Sequence, residues 1–238
     1  MKNKLVQISA KNLGILALPD YCPRCFYLKL KLGFKLPWQI FPGIFSSIDS
    51  YSKKITWGYY QKFNRLPPWF SKFGKFVKPV PSPHFSKFYT IDADTNVKLT
   101  GIADEIFLME EKLYFIVDYK TARYTYAQDE LMPVYRVQLN GYAMIFEKMG
   151  MGKVVGLGLV YYEPDTEVDV GRLDSLLVNG GFNMRFSAHL VEVGLDPVGV
   201  VLPLLKVVRE LGDREVVPEG RTGCQDCGRL GEIMKIVR

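Results

Sequence analysis

Apolar residues recur along this chain in two rhythms, one of strands and one of helices. Lys98 to Leu108 and Leu113 to Thr121 are both rich in Val, Ile, Leu, Phe and Tyr and read as two β-strands. Met109-Glu110-Glu111-Lys112 is the polar turn of their hairpin. Phe85 to Ile91 alternates apolar and polar positions and predicts the first core strand, closed by a turn over Asp92–Asn96. Val154 to Tyr162 reads as a buried strand, and Phe182 to Val193 alternates enough for another. Helical spacing marks Ser9 to Leu32, opened by a Ser cap, interrupted around Pro19–Pro23 and stopped at Gly33. A second helix has Asp129 as its cap, Pro133 near its start and apolar positions at Val134, Val137, Leu139, Ala143 and Phe146. Gly150 and Gly152 end it. A third begins at Asp196-Pro197 and runs to Leu211, with Pro203 inside and Gly212 closing it. Val77 to Pro83 is proline-rich and predicts a linker. Val168 to Gly181 follows neither rhythm.

The hairpin gathers chemistry. Folded about its turn, it sets Asp104 across from the Val117–Asp118 region. Side chains alternate faces along a strand, so Asp118 and Lys120 point the same way. Asp118 follows Tyr-Phe-Ile-Val, a run that predicts burial, and a buried carboxylate must be paired or bound to metal. Gln138 and Tyr142, four apart on the next helix, share one face and reach back to the same place.

Composition narrows the class. The 238 residues suffice for one domain with a substantial core, and 48% hydrophobic with 24% charged residues is ordinary for a soluble globular protein. No stretch has the uninterrupted apolar length of a membrane helix, and M-K-N-K-L-V-Q-I lacks a signal-peptide core. The expectation is a cytoplasmic protein with no membrane partner. A net charge of +6 favours a polyanionic partner. Only two histidines occur, His84 and His189, which argues against a His-rich zinc hydrolase or a His-based triad. Between Phe34 and Phe76, Lys53, Lys54, Lys62, Arg65, Lys72 and Lys75 interleave with Trp38, Trp57, Tyr59, Tyr60 and Trp69. Basic groups there would meet phosphates and aromatic faces unpaired bases; equally, the aromatics could be the core of a helical subdomain.

The four cysteines form two C-xx-C pairs, Cys22 with Cys25 and Cys224 with Cys227, near opposite ends of the chain. In an intracellular chain this pattern points to a metal site that clips the ends together, and by spacing alone it suits tetrahedral zinc.

G-I-A-D-E-I, then I-V-D-Y-K-T, then Q-L-N-G-Y together resemble the PD-(D/E)XK nuclease superfamily. The branch they are most similar to is RecB-like, which includes the iron–sulfur exonucleases of CRISPR adaptation. The resemblance implies an α/β restriction-endonuclease-like fold: a central mixed sheet flanked by helices, a helical N-terminal insertion and a four-cysteine metal-bound terminal patch. Within a single domain, residues 1–33 would carry the first cysteine pair, 34–83 the basic and aromatic insertion, 84–212 the nuclease core and 213–238 the second pair. The resemblance also implies roles. Asp104 and Asp118, with the backbone carbonyl of Tyr119, would hold Mg²⁺ or Mn²⁺. Lys120 would act on the attacking water, and Gln138 and Tyr142 would position the strand or that water. The phrase C-P-R-C-F-Y-L is similar to the N-terminal C-P-R-x-F-Y-L element of the iron–sulfur branch, so Cys22, Cys25, Cys224 and Cys227 would hold a 4Fe–4S cluster; zinc is the alternative. Two departures stand out. The cysteines divide two and two where the branch divides them one and three. The branch's motif histidine is missing, and F-P-G-I-F-S-S-I-D-S offers Asp49 in its place as ligand or orienter. The activity implied is hydrolysis of DNA, as an exonuclease on single strands or ends, in repair, recombination or CRISPR adaptation, with protein partners in such a complex. The alternative is a non-catalytic nucleic-acid-binding protein of the same fold with a structural zinc site.

Overall fold

The computed structural model describes residues 4–35, 42–125 and 130–237. In chain order it comprises β1 (Val6–Ser9), α1 (Ala10–Gly14), α2 (Pro23–Lys31), α3 (Gly43–Phe63), β2 (Phe76–Val80), β3 (Tyr89–Asp92), β4 (Val97–Thr100), β5 (Glu105–Met109), β6 (Leu113–Lys120) and α4 (Met132–Lys148). There follow β7 (Lys153–Pro164), α5 (Leu173–Leu176), β8 (Leu177–Val178), β9 (Gly181–Phe182), β10 (Phe186–Val193), α6 (Pro197–Asp213) and α7 (Gln225–Ile236).

The central sheet has five strands in the order β10-β7-β6-β5-β2. β6 and β7 are parallel, joined by a crossover through α4, and the other neighbours are antiparallel, so the sheet is mixed. β6 lies in the middle, and its near-continuous apolar sequence follows from cover on both faces. On one face, Ile106, Ile116, Leu157 and Leu159 pack with α4 and α6 in a core that includes Leu139, Phe146, Val201 and Leu205. On the other, Phe107, Phe115, Tyr119 and Tyr162 pack against Phe70 and Phe73 of a 3-10 turn, Pro68–Phe73. A smaller sheet, β1-β4-β3, lies apart from the central one.

Several expectations change. The run from Lys98 to Leu108 is two strands, not one. It breaks over residues 101–104, so β4 joins the small sheet while β5 joins the central one. Gly101 sits at this break because nothing larger fits: a Cβ there would come within 2.7 Å of the Tyr142 ring. Val77 to Pro83 is not simply a linker, because Phe76–Val80 forms the edge strand β2, where Pro79 is tolerated as an edge residue. The first helix divides as expected around its prolines, with Ser9 accepting from Asn12 N–H as the N-cap of α1. The cap expected at Asp129 lies outside the described residues. Asp196 caps α6 by accepting from Gly199 N–H, and α6 continues past Gly212 to Asp213 despite Pro203. α7 has no counterpart among the expected elements.

α1 crosses α4 very closely. A Cβ at Gly141 would lie 2.6 Å from Ala10 Cβ. Neither side of that contact has a flexible side chain to move, so Gly141→Val should cost about 1–3 kcal/mol, read as a lower urea midpoint.

Candidate active site and cysteine centre

The site forms where the ends of β5 and β6 meet α3 and α4. Glu105 pairs with Val117 in the hairpin, which carries the preceding residue, Asp104, level with Asp118. Asp104 stands at the mouth of the strand rather than within it. Its Oδ2 accepts from Tyr119 N–H at 2.9 Å, and its Oδ1 lies 2.8 Å from Lys53 Nζ.

Asp118 is 3% exposed, on the α4 face of β6. Its Oδ2 lies 2.5 Å from Lys120 Nζ. Its Oδ1 accepts from Gln138 Nε2 at 2.9 Å, and the same amide donates to the Tyr142 hydroxyl at 2.7 Å. Lys120 donates in turn to Gln138 Oε1 at 3.3 Å, and its ammonium lies 4.1 Å from the centre of the Tyr135 ring. Burial, and next the Asp104 charge, push the Asp118 carboxyl up to about 7, against the pull of the Lys120 ammonium. The structure therefore brings Asp104, Asp118, Lys120, Gln138 and Tyr142 together.

Asp49 reaches this group through an intermediary. Lys53 Nζ lies 2.9 Å from Asp49 Oδ2 and 2.8 Å from Asp104 Oδ1, so Asp49 orients Lys53. Tyr119 contributes its backbone here, while its side chain turns to the other face and its hydroxyl meets Thr56 Oγ1 at 3.0 Å.

Two residues of this neighbourhood escaped sequence reasoning. Lys53, one of the basic residues expected to meet phosphates, binds a site carboxylate instead. Glu105 is 1% exposed, accepts from Trp57 Nε1 at 3.1 Å and is pushed up to about 8, chiefly by burial. The available signal was on α3, where Asp49, Lys53 and Trp57 recur every four residues and so share a face.

The donor set fits a divalent cation. Two carboxylates lie close enough for one to raise the other's pKa, and each holds a lysine ammonium. Hard oxygen ligands of this kind suit Mg²⁺ or Mn²⁺.

The cysteines meet where the N-terminal ends of α2 and α7 come together. Cys22 and Cys224 stand at the N-caps of α2 and α7, and Cys25 and Cys227 lie in the first turns. Their Sγ atoms all fall within 4.8 Å of one another, with contacts of 3.5 Å for Cys25–Cys227 and 3.6 Å for both Cys22–Cys227 and Cys25–Cys224. Burial opposes a Cys22 thiolate, but N–H groups of Cys25 and Arg221 outweigh it and bring the thiol down to about 6, while burial holds the Cys25 and Cys227 thiols up. Thiolate character is what a metal ligand needs. Around the centre, Arg24 donates to Pro218 O and Arg221 to Asp20 O, tying the two ends together independently of any metal.

The chain matches the PD-(D/E)XK nuclease superfamily over residues 55–228, well over half its length, and belongs to that superfamily. Among solved structures it is similar to one titled "Crystal structure of SSO0001", at 14% identity and a TM-score of 0.41, covering 89% of this chain and 79% of that one. No curated protein matches it in sequence. Among the described residues no helix is long and apolar enough to cross a membrane.

Proposed function

We propose that this nuclease-superfamily protein is a metal-dependent DNA nuclease acting on single strands or ends, with the chemistry centred on Asp104, Asp118 and Lys120. The observation that carries this reading is the buried Asp118, held between Lys120 and Gln138 and level with Asp104. A surface hairpin would have no need to bury an acid against a second acid.

A divalent cation held by the Asp104 and Asp118 carboxylates and the Tyr119 carbonyl would supply Lewis acidity at the phosphoryl group and a water of lowered pKa. The chain's own residues do the rest. Gln138 holds Asp118 in one orientation, and Tyr142 accepts from that amide and fixes it. Lys120, steered by Asp118 and Gln138, presents its ammonium to the attacking water and to the charge developing on the phosphoryl oxygens. Lys53 keeps Asp104 turned toward the site.

The reading is tested by incubating the protein with labelled single- and double-stranded DNA, with Mn²⁺ and with chelator. Shortening of the strand only with Mn²⁺ supports it. Binding without cleavage supports the non-catalytic alternative.

For the cysteines, four Sγ atoms within 4.8 Å of one another fit a shared metal centre. The resemblance favours a 4Fe–4S cluster there, with zinc as the alternative that the C-xx-C spacing also suits. Elemental analysis should find iron in a protein with broad visible absorption; zinc in a colourless protein would reverse the assignment. Repair, recombination or CRISPR adaptation remains the proposed setting on the resemblance alone.

A further inference from the structure

We propose that the cavity between α3 and the adjoining ends of β7 and β10 takes one unstacked base of the nucleic-acid strand being cut. This rests on the nuclease reading above and specifies its substrate as single-stranded near the scission.

The cavity measures about 500 Å³, within the usual range for small-ligand sites. Its walls are mainly flat and apolar: Tyr51, Trp69, Tyr162 and Phe186, with Ile48 and Met184. Two buried polar atoms belong to its wall residues, Trp69 Nε1 and the Tyr162 hydroxyl; they neighbour each other but make no hydrogen bond of good geometry among the described residues. Tyr162 is itself only 7% exposed. Leaving such groups unpaired costs about 1–3 kcal/mol each, so the cavity suits a ligand that satisfies them.

The chemistry of the walls selects that ligand. An indole N–H only donates, so the ligand must carry an acceptor, and a phenol can donate or accept. The aromatic faces call for a planar partner. Among the described residues no Lys or Arg lines the cavity, which argues against a phosphate inside it. A nucleobase has flat faces and an edge of carbonyl and ring-nitrogen acceptors. An aliphatic ligand would stack on nothing and leave the N–H unpaired.

The position relates the cavity to the cut. On α3, Asp49 and Lys53 reach toward Asp104, while Ile48, Tyr51, Ser52 and Ile55 line the cavity. Lys120 is in register with Tyr161 on the neighbouring strand, and Tyr162 follows directly. Adjacent strands are about 4.8 Å apart, so the cavity wall begins a nucleotide-scale step from the D-x-K strand, on the sheet face opposite Asp118, and a strand would turn about the sheet end at Asp104 to enter it. The Tyr162 ring lies 5.2 Å from that of Tyr119, whose N–H holds Asp104. A base inside a duplex is stacked and paired and cannot enter. A frayed end or single strand can supply one at little cost.

The test walks one abasic site along a short single-stranded DNA. Affinity is read with chelator present and cleavage with Mn²⁺. Abasic substitution at one fixed position should weaken binding about tenfold, the scale of a single stacked base, and elsewhere change it little. Cleavage should slow when the abasic site stands at a constant offset from the cut. Tyr162→Phe keeps its ring and removes only the hydroxyl, whereas Trp69→Phe removes the N–H together with part of the indole face. Each should weaken binding of the intact strand about fivefold and leave binding of the strand abasic at that position unchanged. A flat abasic profile overturns the proposal, as does equal weakening of both strands by the variants. If the protein binds with a clear abasic position but never cuts, the nuclease reading fails and the base site stands. If it cuts with a flat profile, the base site fails alone.

Discussion

Asp118→Asn should slow Mn²⁺-dependent cleavage by about a thousandfold or more, while single-strand binding in chelator stays within a few-fold of the parent. The substitution is nearly isosteric. It removes the charge that would hold a cation and the ion partner that steers Lys120. It can leave the Gln138 hydrogen bond in place, because an amide oxygen still accepts. Asp118 is buried and crowded by the Asp104 charge, which its neutralisation relieves, but the change leaves the Lys120 ammonium without its ion partner, so the melting temperature should fall by a few degrees. A lost activity in protein still folded at the assay temperature separates a catalytic effect from unfolding. Cleavage at the parental rate by this variant, or by Asp118→Ala with Lys120→Ala, would show that the chemistry lies elsewhere.

The second large effect concerns the cysteines. Cys25→Ser with Cys227→Ser should release the bound metal and lower the melting temperature by about 10–20 °C. The cross-link spans 205 residues between Cys22 and Cys227, so it removes much of the unfolded chain's freedom. By analogy with a covalent bridge across a long loop, this is worth about 5 kcal/mol. The residual contacts, Tyr27 hydroxyl to Arg214 O and Lys31 to Gly212 O, should keep part of the joint closed. Calorimetry and metal content measured on the same samples check this. A metal-free variant that melts with the parent would mean that these contacts alone hold the ends.

The sequence revealed the centre of the molecule more readily than its margins. β6 was visible because a strand covered on both faces must be apolar throughout, which makes a single acid in it conspicuous. α4 was visible because a helix packed on a sheet keeps its period. The break before Asp104 was hidden because its residues favour extended structure on both sides; the close approach of the Tyr142 ring that requires Gly101 there comes from 41 positions away in sequence. β2 was hidden by proline, which marks a linker locally but is admitted at a sheet edge. Lys53 was hidden because a lysine among lysines looks like a solvated face, whereas its partner Asp104 comes from a distant loop. The base cavity joins residues of α3, a 3-10 turn and two strands, and no local pattern could bring them together.

The separation of the two cysteine pairs also bears on biosynthesis. Cys25 leaves the ribosome 199 residues before Cys224, an interval of about 10–40 s at ordinary elongation rates. For that time the first pair can offer an ion only half a coordination shell. Metal capture thus becomes one of the last events in the maturation of the polypeptide, and a product released before Cys224 is translated could never complete the shell.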